Sequence, residues 1–567
     1  MRLSKNKGDE LMKRSLSLVL VMLLVLSLVL TACGPKAPAE EPATPGEEPA
    51  AQEPKVLRFS IGAEPPALDQ QIATDTYAIM LGHHLYEGLV RVADNGQVTP
   101  GMAESWEISE DGLTYTFHLR DAVWSDGKPV TAHDFEYGLK RLLDPATASE
   151  YAFQGYYIKN GEAYNTGKIS DPSQIGVKAL DDKTLEITLE VPTGYFLALT
   201  NFISLFPVRQ DFVEAQGTAY ASEADKILYN GPYVMTEWRH EDGLVLEKNP
   251  NYWNKDAIKI DRVEIAIVTD SNTAMSMYEA GDLDFVNLPP ARVQEFVDNG
   301  QAKFYYDGAE FYFQFNVKGR NPEIGKFVGN ANFRKAFAYA IDRQNFVDAV
   351  LKNGSDAATR YVLPLLAGVN DLFAKEYPLE FYPKNADPAK AKEYLDKALA
   401  EIGTTIDKVP AIEYLTDDSD TARTSAEAIQ DMIAKNLGIK LEIKQVPFKQ
   451  RLELMNKGEY DLVFAGWGPD YDDPMTYLDL WVIGGGHNNT GWEDQTYTDM
   501  INFCKTTADV KARADKMFEA EKYLLENGPI VPVYFRRRAW VHVDGLTGLV
   551  KNFIGAENDF MNADITR

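Results

Sequence analysis

The chain has 567 residues, 45% of them hydrophobic and 25% charged, with a formal net charge of −28 and two cysteines. A surface of that sign repels phosphate backbones and argues against nucleic acid as a partner, and two cysteines cannot staple a fold of this size, so stability must come from buried apolar area. Length alone suggests three or four domains, a count that changes if any domain is assembled from separate stretches.

At the N-terminus, Arg2, Lys5, Lys7, Lys13 and Arg14 precede an apolar run over residues 18–30 broken only by Ser27, and the run ends in Leu30-Thr31-Ala32-Cys33. Residues 1–32 read as a secretory signal whose apolar centre is too short for a comfortable membrane span. Leu-Thr-Ala-Cys resembles the bacterial lipobox, which implies cleavage before Cys33 and acylation of its thiol and new amino group. Only Cys504 then remains, so no intrachain disulfide is expected. Residues 33–54 form the acylated cysteine and a tether. The stretch 34–54 has six prolines, five glutamates and no Val, Ile, Leu or aromatic residue, a composition that stays extended and packs no core.

Folded sequence begins with the alternating strand pattern of residues 56–61, closed by Gly62. Residues 113–119 alternate again, Ser125-Asp126-Gly127 marks a turn, and Thr131 caps a helix with Phe135, Leu139 and Leu142 on one face. Residues 177–191 give a second hairpin signal, and 311–317 read as a buried strand. Phe333, Ala336, Phe337, Ala340, Ile341 and Val347 stand at helical spacing over 333–351; Asp387-Pro388 starts another helix, and Gly438 ends one that begins near 421. A strand follows over 439–446 and another over 460–465. Helices alternating with strands predict a mostly parallel, doubly wound region, whose ligands sit beyond the C-terminal ends of the strands.

That position is taken by residues 466–474, Gly-Trp-Gly-Pro-Asp-Tyr-Asp-Asp-Pro. A Trp between two glycines leaves backbone that another chain can approach, and three carboxylates follow within six residues of the indole, which suits an extended ligand with a cationic end. The bland alternative is a tight turn with a capping Asp. The run GWGPDYDDPMTYLDLW, the segment 100–145, Tyr86-Glu87-Gly88-Leu89 and Asn230-Gly231-Pro232-Tyr233 resemble the oligopeptide-binding proteins, the extracytoplasmic solute receptors of peptide-importing ABC transporters.

The resemblance implies an α/β, two-lobed periplasmic-binding-protein-like fold of type II with mixed sheets and a hinge. Three discontinuous domains follow from it: residues 55–86, 210–308 and 537–567; residues 87–209; and residues 309–536. It implies that Asp470 binds the peptide's terminal ammonium and that Gly466, Trp467 and Gly468 bond the peptide backbone as an added strand, with Tyr471 of the same loop beside them. Thr74, Asp75 and Thr76 would run alongside the peptide and Tyr151 would reach toward it. Tyr312, Gln314, Phe448, Leu452 and Trp492 would wall the pocket, with Asn287 as a further contact. Positions where relatives carry arginines near the peptide's far end hold Met455 and Phe464 here, which leaves Arg423 as the candidate for a basic contact.

The function implied is capture of oligopeptides at the outer face of the cytoplasmic membrane by a monomer anchored through Cys33, and delivery to permease subunits driven by cytoplasmic ATPases. No cofactor, metal or nucleic acid is expected. Alternatives from the same superfamily are receptors for dipeptides, nickel chelates or oligosaccharides. The enzyme alternative is a glycosidase using the carboxylates around Asp470. His83-His84 lacks the context of a metal site, and Gly484-Gly485-Gly486-His487 lacks the Lys-Ser/Thr of a phosphate loop.

Overall fold

The computed structural model describes residues 53–92 and 97–567; the signal segment, Cys33 and nearly all of the tether lie outside the described residues. Strand β1 (Val56–Ile61) buries alternate side chains, and Asp75 starts helix α1 (Thr76–Leu85) by accepting from the backbone of Tyr77 and Ala78 at 3.0 Å each. Strands β2 (Ala103–Ile108) and β3 (Thr114–Leu119) form the first hairpin. Its turn lies at residues 109–113, whereas Ser125-Asp126-Gly127 closes only the single bridge between Val123 and Pro129. Helix α2 (Ala132–Leu143) follows Thr131 as expected: the Asp134 carboxylate accepts from the Thr131 backbone at 2.8 Å and from Trp124 Nε1 at 3.2 Å, which lets that indole be buried with its donor satisfied. Strands β4 (Val177–Ala179) and β5 (Thr184–Thr188) complete a four-stranded antiparallel sheet in the order β2-β3-β5-β4.

The chain then returns to β1. Strands β6 (Tyr233–Arg239), β7 (Gly243–Lys248) and β8 (Arg262–Ile267) make a sheet β1-β8-β7-β6 in which β1 and β8 are parallel. Helix α3 (Ser271–Ala280) and strand β9 (Phe285–Asn287) lead into β10 (Lys303–Phe315), 13 residues long and starting well before the predicted 311.

The predicted helix over 333–351 is interrupted. Helix α4 (Ala331–Ala340) stops where Ile341 turns extended, and Asp342 caps a new turn by accepting from Asn345 N at 3.0 Å. After β11 (Asp356–Ala357), Asp387 caps α5 (Pro388–Ile402); then come β12 (Ile412–Asp417), α6 (Asp420–Leu437) ended by Gly438 at φ +70°, β13 (Leu441–Val446), α7 (Phe448–Asn456) and β14 (Leu462–Trp467). Helices α8 (Gln495–Thr506) and α9 (Val510–Asn527) precede the final long strand β15 (Ile530–His542).

These strands form one seven-stranded sheet, β9-β15-β10-β14-β12-β13 with β11 on β15. It is mixed: β12, β13 and β14 are parallel, as predicted, but β10 and β15 are antiparallel to their neighbours. Two of its features position the site. First, the β10–β15 pairing slips between Tyr306 and Glu310, where Gly308 sits at φ +77° and a Cβ would lie 2.2 Å from the Phe553 carbonyl oxygen, so only glycine fits the bulge. Second, β14 pairs with β10 from Leu462 to Trp467 but with β12 only at Leu462 and Val463. Among the described residues no strand covers the other backbone edge of residues 464–467.

Candidate functional site

A cavity of about 1530 Å³ opens beside that edge, lined by the loop after β14, the start of α7, the residues before α1, the bulge strands β10 and β15, and residues Glu150 and Tyr151 from across the cleft. At its wall lies Asp470. The residue is 9% exposed, and its carboxyl group accepts from Tyr151 Oη at 3.2 Å and Gln154 Nε2 at 3.0 Å, both reaching from the β2–β5 body. Burial pushes this carboxyl well above the usual range, and the two neutral donors only partly oppose it. Among the described residues no cation pairs with it.

The neighbouring carboxylates are spoken for. Asp473 takes a two-pronged bond from Arg513 at 2.7 and 2.9 Å, and Asp472 accepts from Ala367 N at 2.8 Å. Thr476 Oγ1 accepts from Asp470 N at 2.9 Å and Tyr477 Oη donates to the Gly308 carbonyl at 2.7 Å, so the loop is tied to the bulge. The two glycines differ in purpose. A Cβ on Gly466 would lie 2.8 Å from the Phe311 ring, so that glycine serves packing, while nothing stands within 4 Å of one on Gly468, which borders open cleft. Between them Trp467 leans on Tyr151 and His487, at ring distances of 6.1 and 4.7 Å, and its buried Nε1 has no protein acceptor.

Thr74, Asp75, Thr76, Asn287, Tyr312, Gln314, Phe448 and Leu452 also line the cavity. Three expected residues do not. Tyr471 turns inward to stack on Tyr195 at 5.1 Å; Trp492 packs on Tyr497 at 5.4 Å; Arg423 is exposed and stands outside the cavity lining. Gln154 was not foreseen, although it stands three residues after Tyr151, the spacing that puts two side chains on one face of a helical turn. Arg451, Arg536 and Arg538 were also missed. In Arg536-Arg537-Arg538 the period of a strand places the first and third on one face, and both donate to Asp307 from β10, Arg538 at 2.8 Å.

The two bodies touch across the cleft. Besides Tyr151 and Gln154 on Asp470, Ser271 Oγ donates to Asp420 at 2.7 Å, Tyr77 meets Phe448 edge-on at 6.1 Å, and Asn456 donates to Glu150. Burial raises Glu150 to about 7, far above an ordinary glutamate, and drops its neighbour His487 to about 4, so His487 is neutral wherever Glu150 titrates. A carboxyl raised in the native state contributes stability that is complete below its unfolded pKa and is lost as pH climbs through 7. Glu150→Gln, which keeps an acceptor for Asn456, should therefore melt higher than the parent at pH 8 by on the order of 1 kcal/mol, discounted for partial exposure, and match it near pH 4. Thermal melts at both pH values check this; an equal gap at both would contradict it.

A buried carboxyl with no counter-cation among the described residues, set beside an uncovered strand edge between two bodies that meet over it, makes a cleft suited to enclosing a ligand. The chain belongs to the bacterial extracellular solute-binding proteins, family 5: the family model described as "family 5 Middle" matches residues 97–489. The oligopeptide-binding protein OppA of Bacillus subtilis is 34% identical over 561 residues, which cover 97% of this chain and 99% of that protein. The structure of Listeria monocytogenes OppA bound to peptide, 33% identical, matches with a TM-score of 0.85 over 91% of this chain and 99% of the other. An unliganded open form of the murein tripeptide-binding protein MppA, 29% identical and covering 90% of this chain and 98% of its own, reaches only 0.59. The chain as a whole thus superposes better on the peptide-bound relative than on the unliganded open one.

Proposed function

We propose that this protein captures oligopeptides outside the cytoplasmic membrane and hands them to the permease of an ABC transporter. The observation that carries this reading is Asp470: a carboxylate enclosed in the cavity with only two neutral donors asks for a ligand cation, and the uncovered edge of β14 asks for a ligand with a peptide backbone. The relatives' names support it, since oligopeptide and dipeptide receptors are prominent among them. In this reading the ammonium sits on Asp470, the backbone bonds residues 466–468, and Tyr312, Gln314, Phe448 and Leu452 face the side chains. The lobes close about the slip at Gly308.

Ligand that binds only the closed native form stabilises it by mass action, about 2.7 kcal/mol at 100 times the dissociation constant. Protein unfolded and refolded to strip carried-over ligand should melt higher with a panel of short peptides. No shift with any peptide would count against the reading, and turnover of a panel member would favour an enzyme.

The same proposal places the chain at the outer membrane face through Cys33. Among the described residues no helix is long and apolar enough to cross a membrane. Cys33→Ser should release part of the protein into the medium, because an uncleaved apolar segment of residues 18–30 holds a bilayer less well than acyl chains. Full retention of a variant whose signal is shown to be removed would reject the anchor.

A further inference from the structure

The stretch Gly484-Gly485-Gly486-His487, too incomplete for a phosphate loop, ends beside the cavity and meets the opposite body. Its own body holds it firmly. Asn488 Nδ2 donates to the carbonyls of Trp481, Val482 and Trp492 at 3.2, 3.1 and 2.9 Å, and Asn488 N donates to Gly485 O at 3.0 Å, which fixes the turn.

Two features carry the loop across the cleft. A Cβ on Gly486 would lie 2.3 Å from the Glu150 carbonyl oxygen, so backbone meets backbone there; its φ lies outside the left-handed region, and the neighbour rather than the torsion demands glycine. The His487 ring, with a side chain only 12% exposed, then enters a socket of three rings. It stands edge-on to Tyr151 at 4.9 Å and Phe153 at 5.8 Å, both of the opposite body, and to Trp467 of its own at 4.7 Å. Glu150 is held from two sides: His487 Nδ1 lies 3.8 Å from Oε2, and Asn456 donates to Oε1 while accepting from Asn489 Nδ2 at 2.9 Å. These contacts join protein to protein across a boundary that parts whenever ligand enters or leaves, so their free energy goes to closure.

We infer that Gly486 and His487 form a catch that holds the cleft shut, so that the affinity for every ligand includes a contact between the two bodies. This rests on the receptor reading above for its purpose, though not for its geometry. His487 is a positioning residue: it steadies Tyr151, which donates to Asp470 at 3.2 Å. Glu150 makes the catch sensitive to pH. Facing it are the Asn456 amide from α7, His487 from the loop and its neighbour Tyr151, with Asp470 beyond; among the described residues His487 is the only basic group within 4.0 Å. Burial raises Glu150 to about 7, and His487 is neutral there. Opening returns the carboxylate to water, so closure is strongest below the ordinary glutamate range and weakens as pH climbs through 7.

The test is calorimetry at pH 6 on refolded protein with tri-alanine and with tripeptides carrying Phe, Lys or Asp at each position in turn. His487→Ala and Gly486→Ala should each lose roughly tenfold in affinity, the worth of edge-on ring contacts, by the same factor for every peptide. The double variant should lose no more, because both changes release one catch. His487→Phe keeps the ring and drops nitrogens that make no hydrogen bond among the described residues, so it should bind like the parent. Losses that follow the residue at one peptide position would make His487 a pocket wall and overturn the catch, as would losses that sum. Glu150→Gln should match the parent at pH 5 and bind roughly three- to tenfold more tightly at pH 8.5, discounted for the partial exposure of Glu150; a ratio constant with pH would overturn the pH sensitivity. Small-angle X-ray scattering separates the catch from the peptide reading. Stripped of ligand, Gly486→Ala and His487→Ala should both show a larger radius of gyration than the parent while keeping its cooperative melt, and identical curves would overturn the catch. If no peptide binds the parent and that difference persists, the peptide reading falls and the catch stands.

Discussion

Asp470→Ala should cost a few hundred- to a few thousand-fold in peptide affinity, on the order of 3–5 kcal/mol, because it leaves a ligand ammonium enclosed without its anion. N-acetylation of the peptide should do comparable damage to the parent protein by removing the charge from the other side. The two losses should not add, since either change alone breaks the same pair, and calorimetry on both proteins with both peptides closes the cycle. Simple summation, or equal binding of the acetylated peptide by the parent, would remove Asp470 from the role. Asp472 and Asp473 are poor substitutes, the first bonded to Ala367 N and the second committed to Arg513. The pH dependence has a definite sign. Burial holds the empty-state Asp470 carboxyl protonated well above the usual range, whereas the ammonium favours its ionised form. Binding therefore releases a proton, and affinity rises with pH until the free carboxyl is ionised. Asp470→Ala should lose that rise.

The second large effect concerns stability. Glu521 on α9 is fully buried and accepts from Arg360 Nε at 3.1 Å and from Arg360 Nη2, and also from the backbone of Tyr361 at 3.1 Å and Val362 at 2.9 Å. It thereby fixes Tyr361, whose ring packs edge-on against Tyr312 and Trp481, both walls of the cavity. Glu521→Ala leaves the Arg360 cation buried with the Tyr377 carbonyl, at 2.9 Å, and the Phe373 ring but no anion, and should lower stability by about 3–5 kcal/mol. Arg360→Met/Glu521→Leu should recover part of this by removing both charges, but not all, because two backbone donors still lose their acceptor. Denaturant melts of the three proteins check the order. A Glu521→Ala protein as stable as its parent would contradict it.

Local chemistry was legible in the sequence where it is decided locally. The Asp387 and Gly438 helix ends, the Thr131 start and the parallel run β12, β13, β14 follow from caps and periodicity, and the loop at 466–474 lies where such strands end. The antiparallel course of β10 and β15 was not legible, because it pairs residues more than 200 positions apart and no periodicity reports a partner. The same distance hid Gln154 and Tyr151 as partners of Asp470, and Asp307 as the partner of two arginines. Arg423 and Arg451 show the limit most plainly. Each is an arginine on a helix that follows a parallel strand, and only the packing of α6 and α7 turns the first to solvent and the second into the cavity.

The central claim, that the cavity holds peptides, is tested most directly by native mass spectrometry of the protein purified from its own host without refolding. A ladder of added masses matching short peptides, collapsed by Asp470→Ala, is the result predicted. A single added mass matching a sugar or a metal chelate, unchanged in that variant, would contradict it.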